Sequence, residues 1–508
     1  MLPRLNTIGY LLACFMSFGP SVCASSGRAF YVDSIGGQDA HSGQSPSLAW
    51  KTIAAVNAHR FQPGDHLYFH AGQQFAGMMR PLGSGIAAAP IVVASYSAGR
   101  APLLVGNGGL ATVLLADVSF WTLRDIEVTN DGREEGNRNG ILLEATQSGE
   151  TVRGITIEHV HVYNVRGLTG EDNSAKDTGG IGIFAPPLDR PARFDGVLIE
   201  GCTIEHVDNV GLWLNTYPSM NPLDPRWTAA RNEHIHITGN RINDTGRNAI
   251  IVRQAMAPFI EGNTVTHASA RHHGNAIFTR STRDAVIRGN EVSFTGTEPS
   301  GENAAFDADI DSLHTVIENN WSHDNQGGLF SLCNNPNDDT NVTDGTVVRF
   351  NVSENDGIRA FGFSGRVTHS IIYNNTVLIG SGHKEAIVEA RPFSESKPRY
   401  ADGAIFFNNV VIIVGEASYD FAEATHMRFD SNCFVGIVKN PFSETDAVTI
   451  SRNLLPRIVP ANSWYALSAY KGVAKACGAS SHREPETAGG DIAGARLRGI
   501  PFRGALQP

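Results

Sequence analysis

One recurring phrase restricts the fold of this chain more than any other feature. Two or three alternating apolar residues lead into an Asn, followed by a polar stretch, a Gly or Ala, and a second apolar alternation. The copies are IHITGNRIND, PFIEGNTVTH, AVIRGNEVSF, TVIENNWSHD, TVVRFNVSEN, SIIYNNTVLI, AIFFNNVVII and MRFDSNCFVG. Their aligned residues are Asn240, Asn263, Asn290, Asn320, Asn351, Asn375, Asn409 and Asn432, spaced 23, 27, 30, 31, 24, 34 and 23 apart. Earlier segments keep the frame with Cys202, Val160 and Ile126 in the Asn place. Period-two alternation in such short runs predicts strands, and the Gly-Asn-Asp spacers predict turns.

A second strand follows each phrase, as in NGILLEA, VGLWLNT, NAIIVRQ, NAIFTRS, NAAFDAD and EAIVEAR. Two or three short strands per unit, no helix, and a period that varies fit a solenoid with loops of unequal length. A propeller blade needs four strands in a longer repeat. An Asn at one turn of every coil can hydrogen-bond its counterparts above and below, and it tolerates left-handed backbone. The expected fold is an all-β parallel β-helix of about 10–12 coils, a rod on the order of 50 Å long. Residues 25–110 are expected to form an N-terminal cap and the first coils, with a helix within Trp50 to Arg60 covering an open edge. Residues 111–440 are expected to form the β-helix. Residues 441–508 lose the repeat and are expected to cover the other end as loops.

The first two dozen residues have the pattern of a secretory signal. Arg4 supplies positive charge, Ile8 to Phe18 is apolar, and Val22-Cys23-Ala24 resembles a cleavage site. Segment 1–24 is therefore expected to be removed near Ala24, leaving a secreted or periplasmic chain. Nothing else is long and apolar enough to span a membrane. Four cysteines remain, Cys202, Cys333, Cys433 and Cys477, without zinc-ligand spacing, so one or two disulfides are expected in an oxidising compartment. The 51 Asp+Glu outnumber the 40 Lys+Arg for a net charge of −11, which argues against nucleic acid as partner. A monomer is the expected state.

The segment YVDSIGGQDAHSGQSPSLAWKTIAAVNAHRFQPGDHLYFHAGQQFAG, with the later IVVASY and APLLVGNG, resembles the opening of secreted right-handed parallel β-helix proteins of the pectate-lyase-like superfamily. The tail GGDIAGARLRGIPFRGALQP is similar to how such chains end. The resemblance implies a carbohydrate-active chain with a polysaccharide or oligosaccharide as substrate. It does not choose among hydrolases, lyases, epimerases and non-catalytic relatives.

The densest polar stretch is GENAAFDADIDSLHTVIENNWSHDNQGGLFSLCNNPNDD. Asp307, Asp309 and Asp311 alternate and so share one face of an extended chain. Like charge there raises at least one pKa unless a cation intervenes. In one reading, one Asp is a general acid and another a base or nucleophile in glycoside hydrolysis, needing no cofactor. In the other, all three bind Ca²⁺ for β-elimination of a uronate, with Arg253, Arg280, Arg359, His272 or His273 as base. Hydrolysis is slightly favoured, because Asp is dense and no lysine lies between Lys176 and Lys384. A non-catalytic glycan-binding surface protein is the reading from another class.

Asp307 aligns with inward positions such as Val252 and Thr279. Arg253 and Arg280 fall in one phase on successive coils and can hold a uronate or sulfate. Trp213, Phe278, Phe306, Phe330 and Phe361 fall in one strand phase, with Trp213 the expected sugar platform and Asn215 beside it as a hydroxyl partner. The loop YPSMNPLDPRWTAARNEH is expected to wall the cleft. Asn334, Glu389 and Arg391 complete the expected substrate contacts. The stretch from Asp309 to Thr315 also resembles the part of β-helix β-xylosidases that holds a catalytic Asp, with Asp309 matching. Leu332 stands where that family has its Glu, which puts the acid half of that machinery in doubt.

Overall fold

The computed structural model describes residues 27–479 and 503–506, apart from 171–175, 298–301, 336–339, 422, 442–443, 452–459, 462 and 464–465. The expected signal segment and most of the tail motif lie outside the described residues. Three long sheets of 15, 14 and 11 strands run side by side, and their strands pair in parallel with the equivalent strands of the next coil. Each coil therefore contributes up to three strands, and the chain folds as a parallel β-helix. The third sheet's 11 strands agree with the expected count, and the first two sheets run on into the N-terminal cap.

Alternation explains the interior. In the third sheet, Leu212, Ile250, Ile277, Phe306, Phe330, Phe361 and Val388 are register partners on successive strands and fill the lumen. Burying such a column stabilises each coil by about 1.5–3 kcal/mol per large side chain.

The asparagine column forms as expected. Each amide oxygen accepts the backbone N–H and the side-chain N–H of the preceding Asn, at 2.9–3.0 Å, from Asn240 through to Asn432. The other amide hydrogen reaches a backbone carbonyl of the coil before, as from Asn320 to Ile287 O. Cys202 begins the column by donating its N–H to Asn240. The left-handed conformation belongs to the residue before each Asn, such as Gly239 (φ 63°), Gly262 (64°) and Asn319 (55°). The ladder residues themselves stay at negative φ.

The N-terminal cap contains the expected helix, shortened to Ile53–Ala58. The C-terminal segment differs from expectation. It forms a helix, Lys471–Cys477, and lies along a flank instead of only closing an end. Leu467, Tyr470, Val473, Cys477, Ala505 and Leu506 pack on Trp321, Val352, Leu378, Val410 and Ile412 of the second sheet. The outward apolar residues of those strands required a cover. One disulfide, Cys433–Cys477, ties this helix to a late coil. Cys202 and Cys333 are free.

Candidate active site

The outer face of the third sheet carries a cleft of about 710 Å³. Register decides which residues reach it. The outward column runs Trp213, Ile251, Phe278, Asp307, Ser331, Gly362 and Glu389. Asp307 therefore pairs with Phe278, not Thr279, and faces out. The expected single aromatic phase is two phases: Trp213 and Phe278 point outward, and Phe306, Phe330 and Phe361 point into the lumen. Strand ends and loops obscured that one-residue offset in the sequence.

Asp307 lines the cleft wall at 5% exposure. Its Oδ2 accepts from Asn275 Nδ2 at 2.6 Å, and its Oδ1 has no partner among the described residues. Burial and the neighbouring Asp309 charge push its carboxyl well above the usual range, against the Asn275 hydrogen bond. Asp309 lies just beyond the strand Ala304–Ala308, held by its N–H to Thr279 O at 2.9 Å, and also lines the cleft. Beside the two carboxylates lies Cys333, whose thiol is pushed up chiefly by burial and then by Asp309 and Asp307.

Asp311 does not join them. It sits at φ 64° in the following turn, where its Oδ1 accepts the Val342 N–H at 3.0 Å. The alternation that should have aligned three carboxylates ends with the strand at Ala308. No group of three or more His, Cys, Asp or Glu converges as a metal cradle among the described residues. The three aspartates therefore do not fit the Ca²⁺ site expected of them, and no step is derived through one.

Arg359 and Glu389 both line the cleft, with Arg359 Nη1 3.1 Å from Glu389 Oε2. Gly362 makes room for this pair, since a Cβ there would lie 2.1 Å from Arg359 Nε. Arg391 binds Glu389 at 2.8 Å and Asp420 at 2.6 Å. Arg280 and His273 line the opposite end with His272. Arg253 is the register partner of Arg280 but lies behind Phe278, its guanidinium 5.7 Å from the ring centroid.

Several expected substrate contacts are structural instead. Trp213 is 1% exposed, packs with Leu114, Leu142 and Ile251, and donates to Asn139 Oδ1 at 3.2 Å. It cannot carry a sugar ring. The buried Phe278 and Phe363 and the half-exposed Phe393 line the cleft. Asn215 is buried, donating to Asp177 and Tyr217. Asn334 is buried and bonds Asn341 O and Arg366 O at 3.2 and 2.8 Å. The loop after Trp213 lies on the Gln254–Ser281 corner, through Met220 N to Gln254 and Trp227 Nε1 to Ser281 O, and does not line the cleft. Leu332 is a lumen residue, paired with Ala308.

Lys176, Glu302, Arg247 and Asn275 are among the lining residues that were missed. Lys176 and Glu302 come from loops, whose placement no periodicity encodes. Lysine is thus present at the site after all, with its pKa lowered by burial and by Arg247. Asn275 was legible in principle, because the Asn-Ala pair recurs before successive third-sheet strands at Asn248, Asn275 and Asn303.

No family model matches the chain. It is 23% identical over 518 residues to the lacto-N-biosidase of Bifidobacterium longum subsp. longum, covering 84% of this chain. The chain spans only 31% of that enzyme's length. The GH136 lacto-N-biosidase of Eubacterium ramulus superposes with a TM-score of 0.61 at 21% identity, over 83% of this chain and 68% of that one. Its native-protein structure gives 0.60 at 20% identity. These likenesses place the chain on a shared parallel β-helix scaffold.

Proposed function

We propose that the chain is a glycoside hydrolase that cleaves an oligosaccharide in the third-sheet cleft. The observation that carries this reading is Asp307: a buried carboxyl on the cleft wall, pushed well above the usual range by burial and by the charge of Asp309, which lines the same cleft. A glycosidic bond needs one proton donor and one ionised carboxylate. Burial beside a like charge keeps one of two neighbouring acids protonated, which divides the roles. Asp307 is the general acid that protonates the leaving oxygen. Asp309 is the base or nucleophile. Phe393 offers a ring face for sugar stacking, and Glu389 with Arg359 and Arg391 offers polar contacts to hydroxyls. Similarity to two lacto-N-biosidases supports hydrolysis over other β-helix chemistries.

The test is a panel of oligosaccharides and polysaccharides assayed for new reducing ends and for the ultraviolet absorbance of unsaturated uronate. The hydrolase reading expects ends without absorbance, lost in Asp307→Asn and Asp309→Asn. Ends with absorbance mean β-elimination, a second reading favoured only by Lys176, whose lowered pKa suits a base. Retained glycan with neither signal means a non-catalytic binder.

Export completes the proposal. The Arg4 to Ala24 pattern and the Cys433–Cys477 disulfide both support an oxidising compartment outside the cytoplasm. Sequencing the N terminus of the exported chain tests this, with a start near Ser25 expected.

A further inference from the structure

The two ends of the cleft differ in how their cations are neutralised. At one end Arg359 and Arg391 both rest on Glu389, and Arg391 also reaches Asp420. At the other end Lys176, Arg253 and Arg280 gather about Phe278. Lys176 Nζ lies 5.3 Å and Arg253 Cζ 5.7 Å from its ring centroid. None of these three pairs with a carboxylate within ion-pair distance among the described residues. Arg253 is only 8% exposed, and its buried Nε has no acceptor. Parallel pairing places Arg280 directly beside it, one strand spacing of about 4.8 Å away.

Like charges this close repel, and a buried guanidinium without an acceptor costs more still. The local carboxyls do not offset them fully. Asp307 and the half-buried Asp177 both have their pKa raised, chiefly by desolvation. Glu302 and Asp309 act on Lys176 only at a distance. The excess positive charge stands out in a chain of net charge −11, which at long range repels acidic ligands.

We infer that the Lys176–Arg280 end of the cleft is an anion subsite, which takes a carboxylate or sulfate group borne by the glycan. This deepens the hydrolase reading, on which it rests for the identity of the cleft, by making the substrate an acidic oligosaccharide. Arg280 offers the planar fork that matches a carboxylate or sulfate in two parallel hydrogen bonds. Lys176 adds a point charge from the loop side. Arg253 lies beneath and strengthens the positive potential through the Phe278 ring.

The test uses probes that contain no glycosidic bond, so hydrolysis does not enter the readout. Isothermal titration of the full chain at fixed ionic strength compares glucuronate with glucose and sulfate with chloride. Glucuronate is expected to bind at least about tenfold more tightly than glucose, or sulfate than chloride. The stronger of the two anions names the group recognised. Lys176→Met and Arg280→Met are each expected to lower that affinity at least about fivefold, and Arg280→Lys to restore only part. Equal binding of glucuronate and glucose together with equal binding of sulfate and chloride overturns the subsite. So do folded variants that bind as the parent does. Anion binding without hydrolysis of any glycan keeps the subsite and overturns the hydrolase. Hydrolysis of neutral glycans with no anion preference does the reverse.

Discussion

Two polar columns are buried in this molecule, and they are finished to different degrees. In the asparagine column each amide oxygen from Asn263 to Asn432 takes two donors, and the side-chain N–H groups are all used. On the third sheet, Asp307 Oδ1 and Arg253 Nε are equally buried and have no partner among the described residues. A satisfied buried network specifies structure, whereas an unsatisfied one is costly unless something outside the fold completes it. The first column belongs to stability, and the second to a ligand.

That division can be broken by substitutions on each side. The largest effect is expected for Asp307→Asn. Loss of a general acid lowers turnover by about 10²–10⁴-fold, while the isosteric amide keeps the Asn275 contact and leaves the melting temperature unchanged or higher. Reducing-end kinetics with calorimetry checks both. A melting temperature that falls together with activity would return Asp307 to the structural column.

Asn409→Ala makes the opposite prediction. The Asn375 N–H and side-chain amide both lose their acceptor. At about 1–3 kcal/mol for each buried donor, stability falls by about 2–6 kcal/mol. Turnover per folded molecule stays the same, because Asn409 lies away from the cleft. Chemical denaturation alongside kinetics separates the two quantities.

Glu385 sharpens the comparison, since it is buried like the ladder yet has neither oxygen bonded. Burial, and then the charge of nearby Asp356, pushes its carboxyl well up. A raised carboxyl means that the native state holds a proton the unfolded chain releases. The associated stability is present at acid pH and is lost as pH rises through the shifted value. Glu385→Gln is expected to flatten that decline, so parent and variant melting temperatures diverge between acid and alkaline pH.

The smallest effect is expected for Trp213→Phe. Its ring fills a packed pocket and donates to Asn139, so the loss is about 1–2 kcal/mol of stability. KM should stay within about twofold, whereas a true sugar platform would show a weakening of about 1–3 kcal/mol.

The sequence exposed the regular part of this molecule because regular stacking repeats its signal. Strand alternation, the asparagine frame and the cap helix each recur or carry their own local chemistry. The cleft was legible only where it borrowed that regularity, as in the pairing of Arg253 with Arg280 and the outward placement of Glu389. Asp311 and Asn334 went astray because a strand boundary or a phase error of one residue sends a side chain to the opposite face, whereas Trp213 faces outward as expected but is packed beneath its neighbours. Lys176 and Glu302 were invisible because loops bring them in. The C-terminal helix was missed because its partner, an apolar outer face on the second sheet, is a property of the assembled coils.

The spacing between ladder asparagines varies from 23 to 34 residues, yet the hydrogen bonds joining them stay at 2.9–3.0 Å. Each rung therefore ignores how much chain intervenes before the next. Insertions and deletions between rungs reshape the cleft rim without being transmitted to the rod. Such a chain is free to change diet by loop exchange, because the parts that read the substrate and the parts that hold the fold are inherited on separate terms.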